Sequence, residues 1–133
     1  MIKYVIDASV ATECLLRTSL GLKIADIIEG ALLIAPELID VEVLSVLRRA
    51  VFQGKLEEHR ALLALEDLRD WQIDRISHAA LLKPAWQLRN NVSAYDAFYV
   101  AVAHIFDAPL LTADGPLSRA PALGIVIQNI KLV

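Results

Sequence analysis

Short apolar runs alternate along this chain with longer segments in which hydrophobic residues recur at helical spacing. The runs predict strands at residues 2–6, 31–35, about 72–76, 109–113 and 125–130, the third being the weakest. The longer segments predict helices at residues 9–16, 19–29, 38–53, 56–70, 79–90 and 94–107, with a helical turn after Pro116. Pro84 interrupts or begins the helix at 79–90. Because alternating strands and helices form parallel sheets covered on both faces, we predict an α/β fold, a three-layer α/β/α sandwich with four or five strands.

The composition fits a single globular domain over residues 1–133. Hydrophobic residues make up 56% of the chain and charged residues 22%, which excludes disordered, coiled-coil and collagen-like classes. No apolar stretch approaches the roughly 20 residues of a membrane span, and Cys14 is the only cysteine. We therefore expect a cytoplasmic protein in a reducing compartment. The formal net charge of −3 argues by itself against a nucleic-acid partner.

Two acidic residues directly follow predicted strands. Asp7 ends the run at 2–6, and Asp114 follows the run at 109–113. Because functional groups of open parallel sheets gather beyond the carboxyl ends of the strands, both acids are candidates for a site there. Local alternatives stay open: Asp7 as the N-cap of the next helix, and Asp114 as a turn residue.

Two more acids lie on apolar parts of predicted helices. Glu42 has only apolar or small neighbours at helical spacing, and a buried glutamate needs a partner. Its alternative is a place at the edge of the apolar stripe, with the carboxylate reaching solvent. Asp96 has Tyr99 at helical spacing, and it stands three residues after Ser93, the spacing of a capping box. Capping and function are compatible for Asp96.

Carboxylates that cluster without a cation repel one another and raise one another's pKa values. A site that assembles four of them is explained by a hard divalent cation, and oxygen ligands alone select Mg²⁺ or Mn²⁺. His59, His78 and His104 have no metal-binding spacing and are interpreted as surface or core residues. The sequence contains no dinucleotide-binding glycine motif, P-loop or esterase elbow, which argues against those chemistries.

Four stretches of the sequence resemble one family: VIDAS at 5–9, PELIDVEVLSVLRR at 36–49, SAYDAFYVAVA at 93–103 and LLTADGPLSRA at 110–120. Together they resemble the PIN-domain family, specifically the VapC-type ribonuclease toxins of type II toxin–antitoxin systems. The resemblance implies a Rossmann-like sandwich and Mg²⁺- or Mn²⁺-dependent endonucleolytic cleavage of RNA, with tRNA or rRNA as the expected target. It also implies a homodimer and a VapB-type antitoxin, for which the predicted helices at 9–29 and 38–70 are candidate docking sites.

The resemblance also implies roles for individual residues. The catalytic acidic pocket would consist of Asp7, Glu42, Asp96 and Asp114. Asp7 and Asp96 would bind the metal directly, and Glu42 and Asp114 directly or through water. Ser9 and Thr112 match small polar positions that would support the acids by hydrogen bonds, whereas Asp40 is not one of the family's acids.

Gly115 and Pro116 stand where some PIN domains carry a further acid, so the number of metal ions, one or two, stays open. A water activated by the metal would attack in line and leave a 5′-phosphate and a 3′-hydroxyl, with Asp114 or Glu42 orienting the water or taking its proton.

Several basic residues are candidates for contacts with phosphate: Arg17, Arg48, Arg49, Arg89 and Arg119. Arg119 is the nearest of them in sequence to Asp114, and each has solvated surface charge as its alternative. Setting the four acids aside changes the formal net charge from −3 to +1. The acidic balance therefore does not exclude an RNA substrate.

Two other functions are alternatives to a metal-dependent ribonuclease. A phosphoaspartate enzyme or receiver domain fits poorly, because Ser9 stands where a haloacid dehalogenase needs a second acid and the only late lysine is Lys131. A PIN-fold module that binds nucleic acid or protein without cutting is the alternative that remains, although all four acids are present.

Overall fold

The computed structural model describes residues 1–118 and 123–132, in which five parallel strands form a single sheet. The strands are β1 (Lys3–Ile6), β2 (Leu32–Pro36), β3 (Asp74–Ile76), β4 (Leu110–Thr112) and β5 (Ile127–Asn129). Their order is β3-β2-β1-β4-β5, and each neighbouring pair is parallel. All five predicted strands are confirmed; β2 is shifted by one residue, and the other four are shorter than predicted.

Helices cover both faces of the sheet. Within the described residues they are α1 (Ala8–Leu16), α2 (Ser19–Ile28), α3 (Leu38–Phe52), α4 (Glu58–Asp70), α5 (Leu82–Trp86), α6 (Ala94–Phe106) and α7 (Gly115–Ser118). Helix α1 packs with α2, α3 and α4, whereas α5 packs with α6, which contacts β1, β2 and β4. The predicted three-layer α/β/α sandwich is therefore confirmed. None of the helices described is long and apolar enough to cross a membrane.

The helix predicted at 79–90 is wrong in its extent. A short 3₁₀ helix covers His78–Leu81, α5 ends at Trp86, and the chain then turns until α6 begins. Pro84 explains the break, because its ring fills the space of the carbonyl four residues earlier and its nitrogen carries no proton for a helical bond. The chain up to Leu81 therefore winds as a 3₁₀ helix, and Pro84 lies in the first turn of the short α5, where a proline is tolerated.

The order of the strands creates a switch point beside β1. From β1 the chain moves outward through β2 to β3, then crosses to β4 on the other side of β1. Val5, Ile6, Leu110 and Leu111 on these two central strands are fully buried, as expected for strands covered on both faces. The Asp7 N–H donates to the Leu111 carbonyl at 3.3 Å, so the residues after β1 and β4 meet at one edge. This edge is where ligands of such folds bind.

Candidate active site

The four predicted acids meet at the carboxyl edge of the sheet. Asp7 follows β1 and Asp114 follows β4, while Glu42 lies in α3 and Asp96 in the first turn of α6. Electrostatic repulsion links Asp7 with Asp114, Asp96 with Asp114, and Glu42 with both Asp7 and Asp96. The structure therefore brings together four residues that stand far apart in the sequence.

Asp7 is the most buried of the four, with 6% of its surface exposed. Its Oδ1 accepts hydrogen bonds from the Val10 N–H at 3.0 Å and the Ser9 hydroxyl at 2.6 Å. Asp7 is thus the N-cap of α1 as well as a member of the acidic cluster. Burial raises the pKa of Asp7, the hydrogen bonds from Ser9, Thr112 and Val10 oppose this rise, and the charge of Asp114 adds to it.

Ser9 and Thr112 connect the ends of the two central strands. The Ser9 Oγ that donates to Asp7 also accepts from the Ala113 N–H at 2.9 Å. Thr112 is fully buried, and its Oγ1 accepts from the Asp114 N–H at 2.9 Å. These bonds fix Asp7 and the backbone of Asp114 relative to each other, which is the supporting role predicted for the two hydroxyls.

Glu42 of α3 lies beside Tyr99 of α6. Glu42 Oε1 and the Tyr99 hydroxyl are both buried, and neither makes a hydrogen bond of good geometry within the described residues. Burial raises the pKa of Glu42, and the charges of Asp96 and Asp7 raise it further. The Tyr99 hydroxyl is close enough to Glu42 to oppose this rise. Burial and then Glu42 raise the pKa of Tyr99, so its hydroxyl stays protonated. The orphaned oxygen of Glu42 points to an unfilled coordination or hydrogen-bonding role.

Sequence reasoning assigned no role to Tyr99. In the sequence it stands only as a neighbour of Asp96 at helical spacing, yet its hydroxyl lies beside Glu42. The available signal was its position three residues after Asp96, which places both on one face of α6.

Asp96 is half-buried at the start of α6. Its N–H donates to the Ser93 Oγ at 3.2 Å, so the predicted cap is present. Burial raises the pKa of Asp96, Asp114 raises it further, and Ser93 opposes the shift. Asp40, by contrast, lies outside the cluster and forms a bidentate pair with Arg75 at 2.8 and 2.9 Å.

The basic candidates are spread over the surface, and one cannot be placed. Arg119 lies outside the described residues. Arg17 ends α1 in the left-handed conformation, and Arg48 lies over the Phe52 ring. Arg89 lies over the Trp86 ring, close to the start of α6.

The donor chemistry of the cluster fits a hydrated hard cation. As their side chains stand, no three His, Cys, Asp or Glu residues in the described ranges converge closely enough to enclose a metal ion. Mg²⁺ does not need such a cage, because it keeps several waters and uses one or two carboxylates. Three observations match a hydrated Mg²⁺ held by carboxylates. Three carboxyls have raised pKa values, one buried oxygen of Glu42 has no partner, and the candidate ligands are all oxygen atoms.

The raised pKa values predict how stability depends on pH without metal. Between the ordinary pKa values of 3.8 (Asp7, Asp96) and 4.5 (Glu42) and the raised native values, the native state binds more protons than the unfolded state. These groups therefore lower the free energy of unfolding as the pH rises through that window. As the pH rises from these ordinary pKa values toward neutrality, urea unfolding in EDTA is expected to show a smaller fall in stability for Asp7→Asn than for the parent. Equal falls in both proteins would contradict the assignment.

Comparisons with known proteins all indicate the same family. The model of the PIN domain matches residues 4–123. Ribonuclease VapC1 of Mycobacterium tuberculosis is 36% identical over 129 residues, covering 96% of this chain and 97% of that protein. Ribonuclease VapC12 of the same organism is 33% identical, covering 87% and 90%.

Solved structures agree on the fold. VapBC2 from Rickettsia felis, bound to a DNA fragment from its promoter, superposes with a TM-score of 0.71 at 11% identity, covering 98% of this chain and 100% of that one. Mycobacterium tuberculosis VapC20, a sarcin-ricin loop cleaving toxin, gives a TM-score of 0.65 at 17% identity, covering 86% and 92%. The family match over most of the chain, with VapC ribonucleases as homologues, leaves one assignment: this chain belongs to the PIN domain family.

Proposed function

We propose that this protein is a Mg²⁺- or Mn²⁺-dependent endoribonuclease and the toxin of a type II toxin–antitoxin pair. One observation carries the proposal: four carboxylates from four separate elements meet at the switch point, and burial raises the pKa values of three of them. A protein keeps such a costly arrangement when the charges are needed together. Relatives named ribonuclease VapC support RNA as the substrate.

The residues have distinct tasks in this proposal. Asp7 and Asp96 would hold the cation, and Glu42 and Asp114 would bind it directly or through water. When bound, a divalent cation neutralises phosphate charge and lowers the pKa of water. Asp114 is the exposed member of the four, which suits it to accept the proton of the attacking water.

The remaining contacts hold these groups in place. Ser9 holds the Asp7 carboxylate by a hydrogen bond, and the protonated Tyr99 hydroxyl lies beside Glu42. In-line attack by water would leave a 5′-phosphate and a 3′-hydroxyl, so the ribose 2′-hydroxyl takes no part.

The partners follow from the relatives and from the surface. The VapBC2 structure contains a VapB partner, which supports a VapB-type antitoxin for this chain. Helices α3 and α4 leave large apolar side chains exposed, which suits such a partner: Val41, Leu44, Leu62 and Leu63. VapC20 cleaves the sarcin-ricin loop. By analogy, we propose that this protein acts in the cytoplasm and cleaves a structured RNA, either tRNA or rRNA. A homodimer is part of the same proposal.

The test is direct cleavage of RNA. Purified protein is incubated with total tRNA and ribosomal RNA in Mg²⁺, in Mn²⁺ or in EDTA, and the product ends are sequenced. We expect defined cuts with 5′-phosphate and 3′-hydroxyl ends in the two metals and none in EDTA. Cleavage that persists in EDTA, or products with 2′,3′-cyclic phosphate, would refute the mechanism.

Replacing Ser9 with Ala is expected to lower cleavage about 10- to 100-fold, because the hydroxyl orients Asp7 and joins it to β4. Circular dichroism should show an intact fold, since the Val10 bond to Asp7 remains. Ser45→Ala on the exposed surface of α3 is the matched control and should cleave at the parent rate. Equal rates for Ser9→Ala and the parent would remove Ser9 from the site.

A further inference from the structure

A groove beside the acidic cluster has no role in the chemistry described so far. It lies between α5 and the start of α6 and has a volume of about 410 Å³. Apolar and aromatic side chains line most of it, and we call it the Trp86 groove: Leu82, Trp86, Arg89, Val92, Ser93 and Phe98. Its size falls within the range of ~300–1,000 Å³ that is usual for ligand pockets.

The groove joins the acidic cluster through the first turn of α6. Ser93, which lines the groove, accepts a hydrogen bond from the Asp96 N–H at 3.2 Å. Ala97, the residue after Asp96, also lines it. A ligand that occupies the groove is therefore in reach of the proposed reaction centre.

Trp86 presents a stacking surface there. Its side chain is 64% exposed, which is unusual for the largest aromatic residue. The Arg89 guanidinium carbon lies 4.7 Å from the centre of the indole ring, and Arg89 NH1 donates to the Trp86 carbonyl at 3.1 Å. Since the guanidinium covers one face of the ring, the large exposure of Trp86 leaves the other face open.

The charges around the Trp86 groove indicate which kind of ligand it can bind. Without a bound cation the acidic cluster repels the phosphate chain of RNA, so the affinity of the metal-free protein for RNA must come from groups beside the cluster. An open aromatic face, an apolar wall and a fixed guanidinium are the features that bind single-stranded nucleic acid, by stacking of a base and attraction of a phosphate.

On these observations, and resting on the proposed ribonuclease function, we propose that the Trp86 groove holds an unpaired base of the RNA next to the scissile phosphate. The base stacks on Trp86, and Arg89 contacts an adjoining phosphate. Trp86 and Arg89 are then substrate-positioning residues, which favour cleavage in single-stranded loops.

Binding without cleavage tests this proposal. In an Asp7→Asn background, the affinity for a labelled single-stranded oligoribonucleotide is measured by fluorescence anisotropy in EDTA at fixed salt. Trp86→Ala is expected to weaken binding about 5- to 150-fold, the range for loss of one base–aromatic stack. Trp86→Phe should stay close to the background protein, whereas Trp86→Leu, apolar but without a ring, should behave like Trp86→Ala.

Phe52→Ala is the matched control. Phe52 is also an exposed aromatic ring under an arginine, with Arg48 at 4.4 Å, but it ends α3 about 15 Å along the helix from Glu42. Its removal should leave RNA affinity unchanged. Arg89→Gln should weaken binding and reduce the slope of log affinity against log salt by roughly 0.7.

The outcomes separate the two proposals. If Trp86→Ala leaves RNA affinity unchanged, or if Phe52→Ala weakens it equally, the proposal that the Trp86 groove binds RNA is refuted. The proposed ribonuclease function would be unaffected by either result. A dimer in the parent that Trp86→Ala converts to a monomer by sedimentation would also refute RNA binding in the Trp86 groove, because a second copy would then occupy the groove. If Trp86→Ala selectively loses RNA binding but the parent does not cleave RNA in Mg²⁺, RNA binding in the Trp86 groove is supported and the proposed ribonuclease function is refuted.

Discussion

Replacing Asp7 with Asn is expected to lower RNA cleavage by on the order of 10³-fold or more, because the lost charge helps hold the cation. The same change should raise the stability of the metal-free protein at neutral pH. Burial raises the pKa of Asp7, which means that the fold disfavours its charged form. The amide oxygen of Asn keeps the acceptor for the Val10 N–H and the Ser9 hydroxyl. Cleavage of labelled RNA and urea unfolding, each measured in both proteins, check the two effects.

The opposite signs of these effects make the result specific. A variant that lost activity by misfolding would be less stable, whereas this one should be inactive and more stable. Asp26→Asn is the matched control, since Asp26 is exposed on α2 and lies outside the cluster. It should alter neither cleavage nor stability appreciably. An Asp7→Asn protein that cleaves at the parent rate would show that the acidic cluster is not the reaction centre.

Removal of divalent cations is expected to have the second largest effect. EDTA should abolish cleavage, and Mg²⁺ returned at 100 times its dissociation constant should stabilise the fold by about 2.7 kcal/mol. The physical reason is the repulsion among Asp7, Glu42, Asp96 and Asp114, which a bound cation relieves. Thermal unfolding with and without Mg²⁺ should therefore show a Tm several degrees higher in the metal.

The same measurement has an internal control. Protons and the cation compete for the carboxylates, so the rise in Tm should shrink as the pH falls toward the ordinary pKa values of these groups. Asp7→Asn should lose most of the rise, and Asp26→Asn should keep it. An equal rise in all three proteins would indicate a general salt effect and contradict a site at the cluster.

Much of this architecture follows from the apolar pattern. The runs at 2–6 and 109–113 are mostly apolar, as expected of strands covered on both faces, and an acid follows each. Parallel strands place their carboxyl ends at one edge, so Asp7 and Asp114 could be predicted to approach each other. Glu42 and Asp96 are candidates because each lies on an apolar part of a predicted helix, whereas their place in one pocket with Asp7 and Asp114 is what the family resemblance implies.

Other features depend on distances that no local pattern encodes. The approach of Tyr99 to Glu42 requires the packing of α6 against the sheet, and the stacking of Arg89 on Trp86 depends on the short α5 that ends there. The helix predicted at 79–90 is interrupted near Pro84, as the sequence indicates, but α5 ends at Trp86 and does not continue to residue 90. The prediction that Arg119 contacts phosphate is not tested by the described residues.

Calorimetric titration of Mn²⁺ into the metal-free protein tests most directly the claim that the four acids form one cation site. The account predicts saturable binding to the parent and to Asp26→Asn, release of protons on binding as carboxyls with raised pKa values ionise, and loss of binding in Asp7→Asn and Asp96→Asn. Equal binding by the parent and both cluster variants, or no binding by the parent, would contradict it.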